Sequence, residues 1–458
     1  MSDISQLIVA PILLPLITAA MMLLLGEKHR HIKARLNLLS TFSGLVIAVC
    51  LLLWVRTQGQ AASIGVYLPG NWPAPFGIVL VVDHLSALLL TLTGVIGFSA
   101  LLFARARWDG AGASFHALFQ IQLMGLYGAF LTADLFNLFV FFEVLLAASY
   151  GLLLHGSGRA RVRAGLHYIA INLFASSLFL IGAAMLYGVT GTLNMADLAL
   201  KIPLVPEADR GLLHAGAAIL AMAFLVKAGI WPLNFWLVPA YASASAPVAA
   251  LFAIMTKVGL YAVLRLWTLL FSGQAGASAH FGGEWLVYGG LVTLAVAAVS
   301  ILAAQRLERM AALSILVSAG TLLGAVGFAQ AALTGAALFY LVNSTLALCA
   351  LFLLAELVER HRGEPRPIKV AAAFSIEPDV VTTPRDAFFA PYEVVPAAEA
   401  VGRVSAELIC PYPPGVPVLS PGERITSDAM SALMDAVAAG IRIAFVADPS
   451  LKTFKVLK

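Results

Sequence analysis

Apolar stretches of about 20 residues, each long enough to cross the hydrocarbon layer of a bilayer, recur along most of the chain. Eleven can be drawn, near residues 5–26, 36–55, 79–103, 114–132, 135–154, 165–189, 212–238, 247–270, 285–304, 311–330 and 335–358. They predict an all-α polytopic membrane domain over residues 1–362. From Arg360 the pattern changes within a few residues. RHRGEPRPIK is charged and carries prolines, so residues 363–370 are expected to be a linker. Beyond residue 371 short alternating runs predict a small soluble α+β domain over 371–458. There Thr383, Pro384 and Asp386 mark a helix start, and Val404 to Ile409 reads as a strand. PYPPG reads as a turn, Asp428 to Ala439 as a helix ended by Gly440, and Ile441 to Val446 as a further strand.

The stretch from Leu220 to Arg265 breaks this pattern in an informative way. It places Lys227 and Lys257 in the middle of segments otherwise suited to lipid. A charged residue at the centre of a membrane helix costs roughly 2.5 to 3.5 kcal/mol on insertion scales, so such residues face a polar interior and mark transport paths. Snorkelling is the plainer reading, but it works near helix ends, and both lysines lie about ten residues from the ends of their spans. Between them Pro232, Pro239 and Pro247 each remove a backbone donor. Tyr241 to Ala246 reads as a loop between two spans, whereas Pro232 to Leu237 reads as a break within one, of the kind that lines a cavity. Lys257, Tyr261 and Arg265 recur every fourth residue, forming one polar stripe that should face the bundle.

Glu143 lies near the centre of the fifth span among phenylalanine and leucine, where an unpaired carboxylate would have to protonate or find a cation. Lys227 is its expected partner. Asp83 and Asp134 sit at span starts and serve either as helix caps or in ion entry. His167, close to Arg163, reads as an interfacial residue rather than a relay, and His84, His116, His155 and His214 fall near span ends as well. No two histidines have the spacing of a metal face, so no metal or cofactor is assigned. Trp231 and Trp236 read as packing or interfacial residues. GSGRAR at Gly156 to Arg161 lacks the context of a nucleotide fingerprint and is a basic connection.

Composition narrows the class further. The chain is 61% hydrophobic and only 11% charged, with a mean hydropathy of +0.93, which excludes a globular enzyme on a single anchor. A net charge of +4 without a clustered basic and aromatic face argues against a nucleic-acid partner. Cys50, Cys349 and Cys410 are scattered, and the first two are expected to pack as small apolar residues. The N-terminus lacks a basic region and cleavage site, so residues 5–26 are read as a retained span. Basic residues follow alternate spans: Lys28 to Arg35, Arg105 and Arg107, Arg159 to Arg163, and Arg306 and Arg309. The loop from Thr57 to Ile78 has no charge, which predicts an external N-terminus and a cytoplasmic C-terminal domain in a multi-pass inner-membrane protein.

The segments LFNLFVFFEVLLAASYGLLL, FLVKAGIWPLNFWLVPAY, LFAIMTKVGLYAVLR, LERMAALSILVSAGTLLG and LFYLVNSTLALCALFLLAELVER resemble the D subunit of the multisubunit Mrp/Pha monovalent cation/proton antiporters. That protein is similar in turn to the antiporter-like subunits of respiratory complex I. The resemblance covers about residues 1–362. It implies an inverted-repeat fold, other antiporter subunits as partners, protons and monovalent cations as cargo, and a proton path through the positions of Glu143, Lys227 and Lys257. Where complex I subunits often carry a histidine in the tenth span, this chain has Ser318. The resemblance also implies a second broken helix, the twelfth, bearing a further charged residue; the pattern here stops after the eleventh span, so the second repeat is expected to be incomplete and that charge absent. Residues 371–458 resemble the C-terminal domain of pyridoxal-phosphate-dependent ornithine/lysine/arginine decarboxylases, through TPRDAFFAPYEVVPAAEAVGRVSAELICPYPPGVPVLSPGERIT. The large domain with the cofactor lysine has no counterpart, so Cys410 and Glu423 are read as structural. The expected function is a proton-translocating subunit in which moving or neutralising Glu143 prompts Lys227 to release its proton. The alternatives are a fused subunit that assembles without transporting, a complex I-type proton-channel subunit, and a decarboxylase-related protein.

Overall fold

The computed structural model describes residues 2–26, 29–58, 63–112, 114–361, 378–412, 417–438 and 442–458. Its internal contacts divide the chain into two units, residues 1–356 and 357–458.

Each of the eleven apolar stretches holds a helix. These are α1 (Ser2–Leu24), α2 (Arg30–Thr57), α3 (His84–Ala104), α4 (Phe115–Leu131), α5 (Leu135–Leu154), α6 (Arg159–Thr190), α8 (Glu207–Ala228), α10 (Ala246–Leu270), α11 (Gly283–Leu302), α12 (Leu307–Gly327) and α13 (Ala331–His361). Ten are long and apolar enough to cross a membrane, and α4, at 17 residues, is a shorter apolar helix. Two short helices, α7 (Met195–Lys201) and α9 (Leu237–Ser243), join the eleven without a counterpart in the hydrophobic pattern. A small antiparallel pair, β1 (Gly65–Tyr67) with β2 (Leu80–Val82), folds within the uncharged connection before α3.

Helix α6 begins at Arg159, well before the expected start at residue 165, so the arginines of GSGRAR lie in its first turn and not in a loop. The seventh stretch is a helix followed by a break. Gly229 ends α8 with φ of +70°, a left-handed conformation open to glycine, and its N–H and that of Ile230 cap the carbonyls of Leu225 and Val226. The expected loop from Tyr241 to Ala246 shrinks to Ala244 and Ser245, because α9 continues through Ser243.

Side chains satisfy the break's backbone. Trp231 N–H donates to Thr293 Oγ1 at 3.0 Å, and Trp236 Nε1 donates to the Val226 carbonyl at 3.3 Å. Non-helical backbone at membrane depth is tolerated only where protein or water meets its polar groups, and here protein does so.

Helix α10 is the centre of the bundle, with every residue from Ala246 to Leu264 buried. It lies against α3, α8 and α12. At Gly259 an added Cβ would come within 2.9 Å of the Ala228 nitrogen and the Phe224 carbonyl, so only glycine lets α10 and α8 approach backbone to backbone. Cys349 is buried and bonds the Ala250 carbonyl, but Cys50 is exposed on the outer face of α2 and does not pack inside as expected.

The second unit is α+β. Strand β3 (Tyr392–Pro396) pairs antiparallel with β6 (Thr453–Leu457), and β4 (Cys410–Tyr412) with β5 (Arg442–Ala444). Helix α14 (Pro384–Phe389) is capped by Thr383, whose hydroxyl accepts from Asp386 N–H, as its sequence predicts. After the short α15 (Ala397–Ala400), α16 (Ser427–Ala438) buries Ala429, Leu433 and Ala436. The expected strand from Val404 to Ile409 makes only isolated bridges at Val404, Ser405 and Ile409, and the strand itself starts at Cys410. Pro411 and Tyr412 of the expected turn belong to that strand, and the last expected strand is confined to Arg442–Ala444. The linker 363–370, Gly440 and Ile441 lie outside the described residues.

Candidate functional site

Three helices build the first cluster. Helix α5 is started by Asp134, whose carboxylate accepts from the Asn137 N–H, and two turns later it presents Glu143, half-buried. Helix α8 carries Lys227 in its last turn before the break, 6% exposed. Between them stands Ser176 of α6, a serine in an apolar run. Its hydroxyl donates to Glu143 Oε1 and lies 3.0 Å from the Asn172 carbonyl. Lys227 Nζ donates to the same hydroxyl at 3.4 Å and sits 5.0 Å from the centre of the Phe142 ring. The expected pairing of Glu143 with Lys227 is therefore indirect, with one hydroxyl joining carboxylate and ammonium. A serine hydroxyl has one proton to give and two lone pairs to accept with, so it can pass a proton along such a line.

The second cluster is on α10 and α12. Lys257 is fully buried, and its Nζ donates to Ser318 Oγ at 2.6 Å, which meets Ser344 Oγ of α13 at 3.0 Å. No hydrogen bond among the described residues links this cluster to Ser176. The structure thus brings Glu143 and Lys227 together and places Lys257 on the neighbouring α10, bonded to α12 and not to α6.

The rest of the α10 stripe does face inward. Arg265 Nε donates to Tyr261 OH at 3.2 Å, and Tyr261 OH donates to the Phe130 carbonyl at 3.0 Å. Arg265 also grips both carboxylate oxygens of Asp83, one through Nη2 at 2.9 Å and the other through Nη1. Asp83 serves as a helix cap at the same time, since its carboxylate accepts from Ser86 N–H and its own N–H donates to Ser86 Oγ.

A third group lies outside what the sequence pattern predicts. His116 Nδ1 is 2.9 Å from Asn37 Nδ2, and its Nε2 lies 3.6 Å from Asp109. Gln120 Nε2 donates to Asn37 Oδ1 at 2.6 Å and to Thr41 Oγ1 at 2.9 Å, while Ser40 links Gln120 to Thr18. This buried polar string joins α1, α2 and α4. Asn37 and Gln120, polar residues inside apolar stretches, are the signal of it in the sequence.

The remaining candidates are structural. His155 Nε2 meets the Trp108 carbonyl, His214 meets Ser278, and exposed His167 bonds the Arg163 carbonyl of its own helix. Trp236 is buried against Tyr168, and Trp231 is exposed. No cluster of metal-binding side chains occurs among the described residues. In the tail Cys410 is buried in β4, and Glu423 accepts from Ser420 N–H.

A family model described as "NADH:quinone oxidoreductase/Mrp antiporter, TM" matches residues 132–376, which include Glu143, Lys227 and Lys257. The chain belongs to this family. Residues 368–442 match a second model, "Orn/Lys/Arg decarboxylase, C-terminal domain". The chain is 55% identical over 360 residues to a protein of Rhizobium meliloti named as the D subunit of a probable K(+)/H(+) antiporter, covering 78% of this chain and 67% of that one. It is 36% identical over 363 residues to the D subunit of the Na(+)/H(+) antiporter of Alkalihalophilus pseudofirmus, covering 78% and 71% respectively. Among solved structures it is similar to a chain of the Mrp complex from Dietzia sp. DQ12-45-1b, with a TM-score of 0.69 and 29% identity over 77% of this chain. It spans 64% of that chain's length. The first unit therefore has the membrane-embedded, multi-pass fold of the antiporter family.

Proposed function

We propose that this chain is a proton-translocating membrane subunit of a multisubunit monovalent cation/proton antiporter. The observation that carries this reading is the line Glu143, Ser176, Lys227, a carboxylate and an ammonium joined by one hydroxyl at membrane depth. In the transfer step an N–H bond of Lys227 breaks as Ser176 Oγ takes its proton, and Ser176 passes its own proton to Glu143 Oε1. The product is a neutral amine facing a neutral carboxylic acid, so the proton moves without leaving a net charge behind. Lys257 with Ser318 and Ser344 is the next station.

Cation exchange itself falls to the assembly with other subunits, with K+ or Na+ as the exchanged ion, in keeping with the names of the two relatives. The basic loops support a cytoplasmic side at the starts of α2, α4, α6 and α12, with the N-terminus outside. We assign residues 1–362 to the transporting domain, 363–370 to a linker and 371–458 to a separate domain. The decarboxylase match, over residues 368–442, lies beyond the transporting domain and brings no transport residue, so this reading makes the chain a transporter subunit and not an enzyme. The test is antiport in vesicles carrying the whole complex. Lys227→Ala and Glu143→Gln should each abolish exchange, and wild-type rates in both would remove these residues from the path.

A further inference from the structure

A cavity of about 800 Å³ opens between the start of α6 and the broken-helix segment. One wall carries two cations, Arg159 and Arg163, which with His167 are spaced every fourth residue, are all exposed and form a single stripe on α6. The opposite wall is Phe235, 56% exposed, and Pro239. Among the described residues, none that lines the cavity is acidic. The two walls are tied together, because Arg161 Nε donates to the Ser243 carbonyl at the end of α9 at 2.9 Å and its Nη1 bonds the His155 carbonyl.

Arginine enrichment at one end of a membrane protein explains two exposed arginines. It does not explain why they stand in register over an apolar groove. Further along α6, Phe174 and Ile181 continue the face of His167 at seven-residue intervals and are 57% and 49% exposed. Phe174 lies about 16 Å from Arg163 along the helix, close to the ~15 Å depth of one leaflet. A phosphate at the arginines with an acyl chain laid along this face would satisfy both ends. We propose that this cavity binds an anionic phospholipid, its phosphodiester held by Arg159 and Arg163 and its acyl chain against Phe235 and Phe174. The bound lipid then rests on the segment that carries the chain on from Lys227.

The test replaces Phe235 with a photoreactive phenylalanine in the full chain. The protein is placed in nanodiscs of mixed phosphatidylglycerol and phosphatidylcholine, and the cross-linked species are identified by mass spectrometry. With two arginines at the phosphate, phosphatidylglycerol should be captured on the order of tenfold or more over its share. Arg159→Gln with Arg163→Gln should abolish the preference, and Arg159→Lys with Arg163→Lys should keep it. Should the glutamine variant fail to fold, the unsubstituted arginines still give a decisive capture ratio. Equal capture of the two lipids would overturn the proposal. So would loss of lipid capture on adding millimolar inorganic phosphate, which assigns the site to free phosphate, or a cross-link to another subunit's polypeptide in the assembled complex, which assigns it to protein.

Discussion

Replacing Ser176 with alanine removes one oxygen and leaves both charged residues in place, which makes it the sharpest probe of the relay. That oxygen donates to Glu143 and accepts from Lys227 at 3.4 Å. Hydrogen bonds to charged groups are worth about 1.5 to 3 kcal/mol each, and losing one from the transfer geometry corresponds to a rate loss of roughly 10-fold to 150-fold. The vacated space is smaller than the roughly 30 Å³ a water occupies in the liquid, so solvent should not restore the bridge without a shift of the helices. Some stability should be lost as well, because buried Lys227 and half-buried Glu143 each lose a partner, so the variant's melting temperature is measured beside the rate. The assay is cation-driven proton movement in everted vesicles holding the whole complex, followed with a pH-sensitive dye across cation concentrations. The maximal rate should fall with little change in the half-saturating cation concentration, and Ser176→Thr should retain most of the activity. Full-rate exchange by Ser176→Ala would refute the bridge, because proton transfer would then run by a route that does not touch this hydroxyl.

Three other outcomes follow from the packing and the charges. Asp83→Asn should lower the melting temperature in detergent, because it leaves Arg265, only 20% exposed, without its counter-charge, a cost of about 2 kcal/mol once residual solvent screening is discounted. Gly290→Ala should destabilise by about 1 to 3 kcal/mol, since its Cβ would fall 2.5 Å from the Gly324 nitrogen, whereas Gly188→Ala in α6, with nothing within 4 Å, should be neutral or slightly stabilising in the same melt. In the tail, hydrogen bonds from Ser450 and Thr453 hold the Asp448 carboxyl down at about 2, below its ordinary 3.8. The folded-state value is depressed, so its contribution is present above the ordinary value and is lost as pH falls from about 4 through about 2. Protection of the Ser450 and Thr453 amides relative to their intrinsic exchange rates should fall across that window in the wild-type chain, and Asp448→Asn should flatten the change.

Much of the membrane unit is legible because lipid imposes a length and water is excluded, so eleven apolar stretches could only become helices. The intramembrane charges are legible for the same reason: Lys227 and Lys257 are costly wherever they do not face the bundle interior. What periodicity does not carry is partnership. It puts Lys257, Tyr261 and Arg265 on one face of α10 but cannot say that Arg265 meets Asp83, 182 residues earlier, or that Tyr261 reaches Phe130. Ser176 is invisible in the sequence because a serine in a membrane helix ordinarily bonds the carbonyl one turn back, as Ser177 and Ser300 do here. Only the packing of α5, α6 and α8 gives it a second role. Cys50 fails the other way: a small apolar residue suits lipid as well as a core, and composition does not choose between them. In the tail, short strands depend on cross-strand neighbours, which is why Val404 to Ile409, alternating in sequence, pairs only at isolated positions.

The two lysines differ in a way that assigns them different parts in the proposed path. Lys227 has a carboxylate one hydroxyl away, and a proton shuttled between them leaves the pair's total charge unchanged. Lys257 meets Ser318, and no acidic side chain pairs with it among the described residues. A proton arriving at Lys257 therefore adds a whole charge at a fully buried position of α10, where it is poorly screened and acts over long distances. The backbone contact at Gly259 holds α10 against the last turns of α8, so such a charge bears directly on the Lys227 cluster without any hydrogen bond between them. Passage of one proton to Lys257 would thus oppose a positive charge on Lys227. In the proposed path, the protonation of the second cluster would then act as a control on the first.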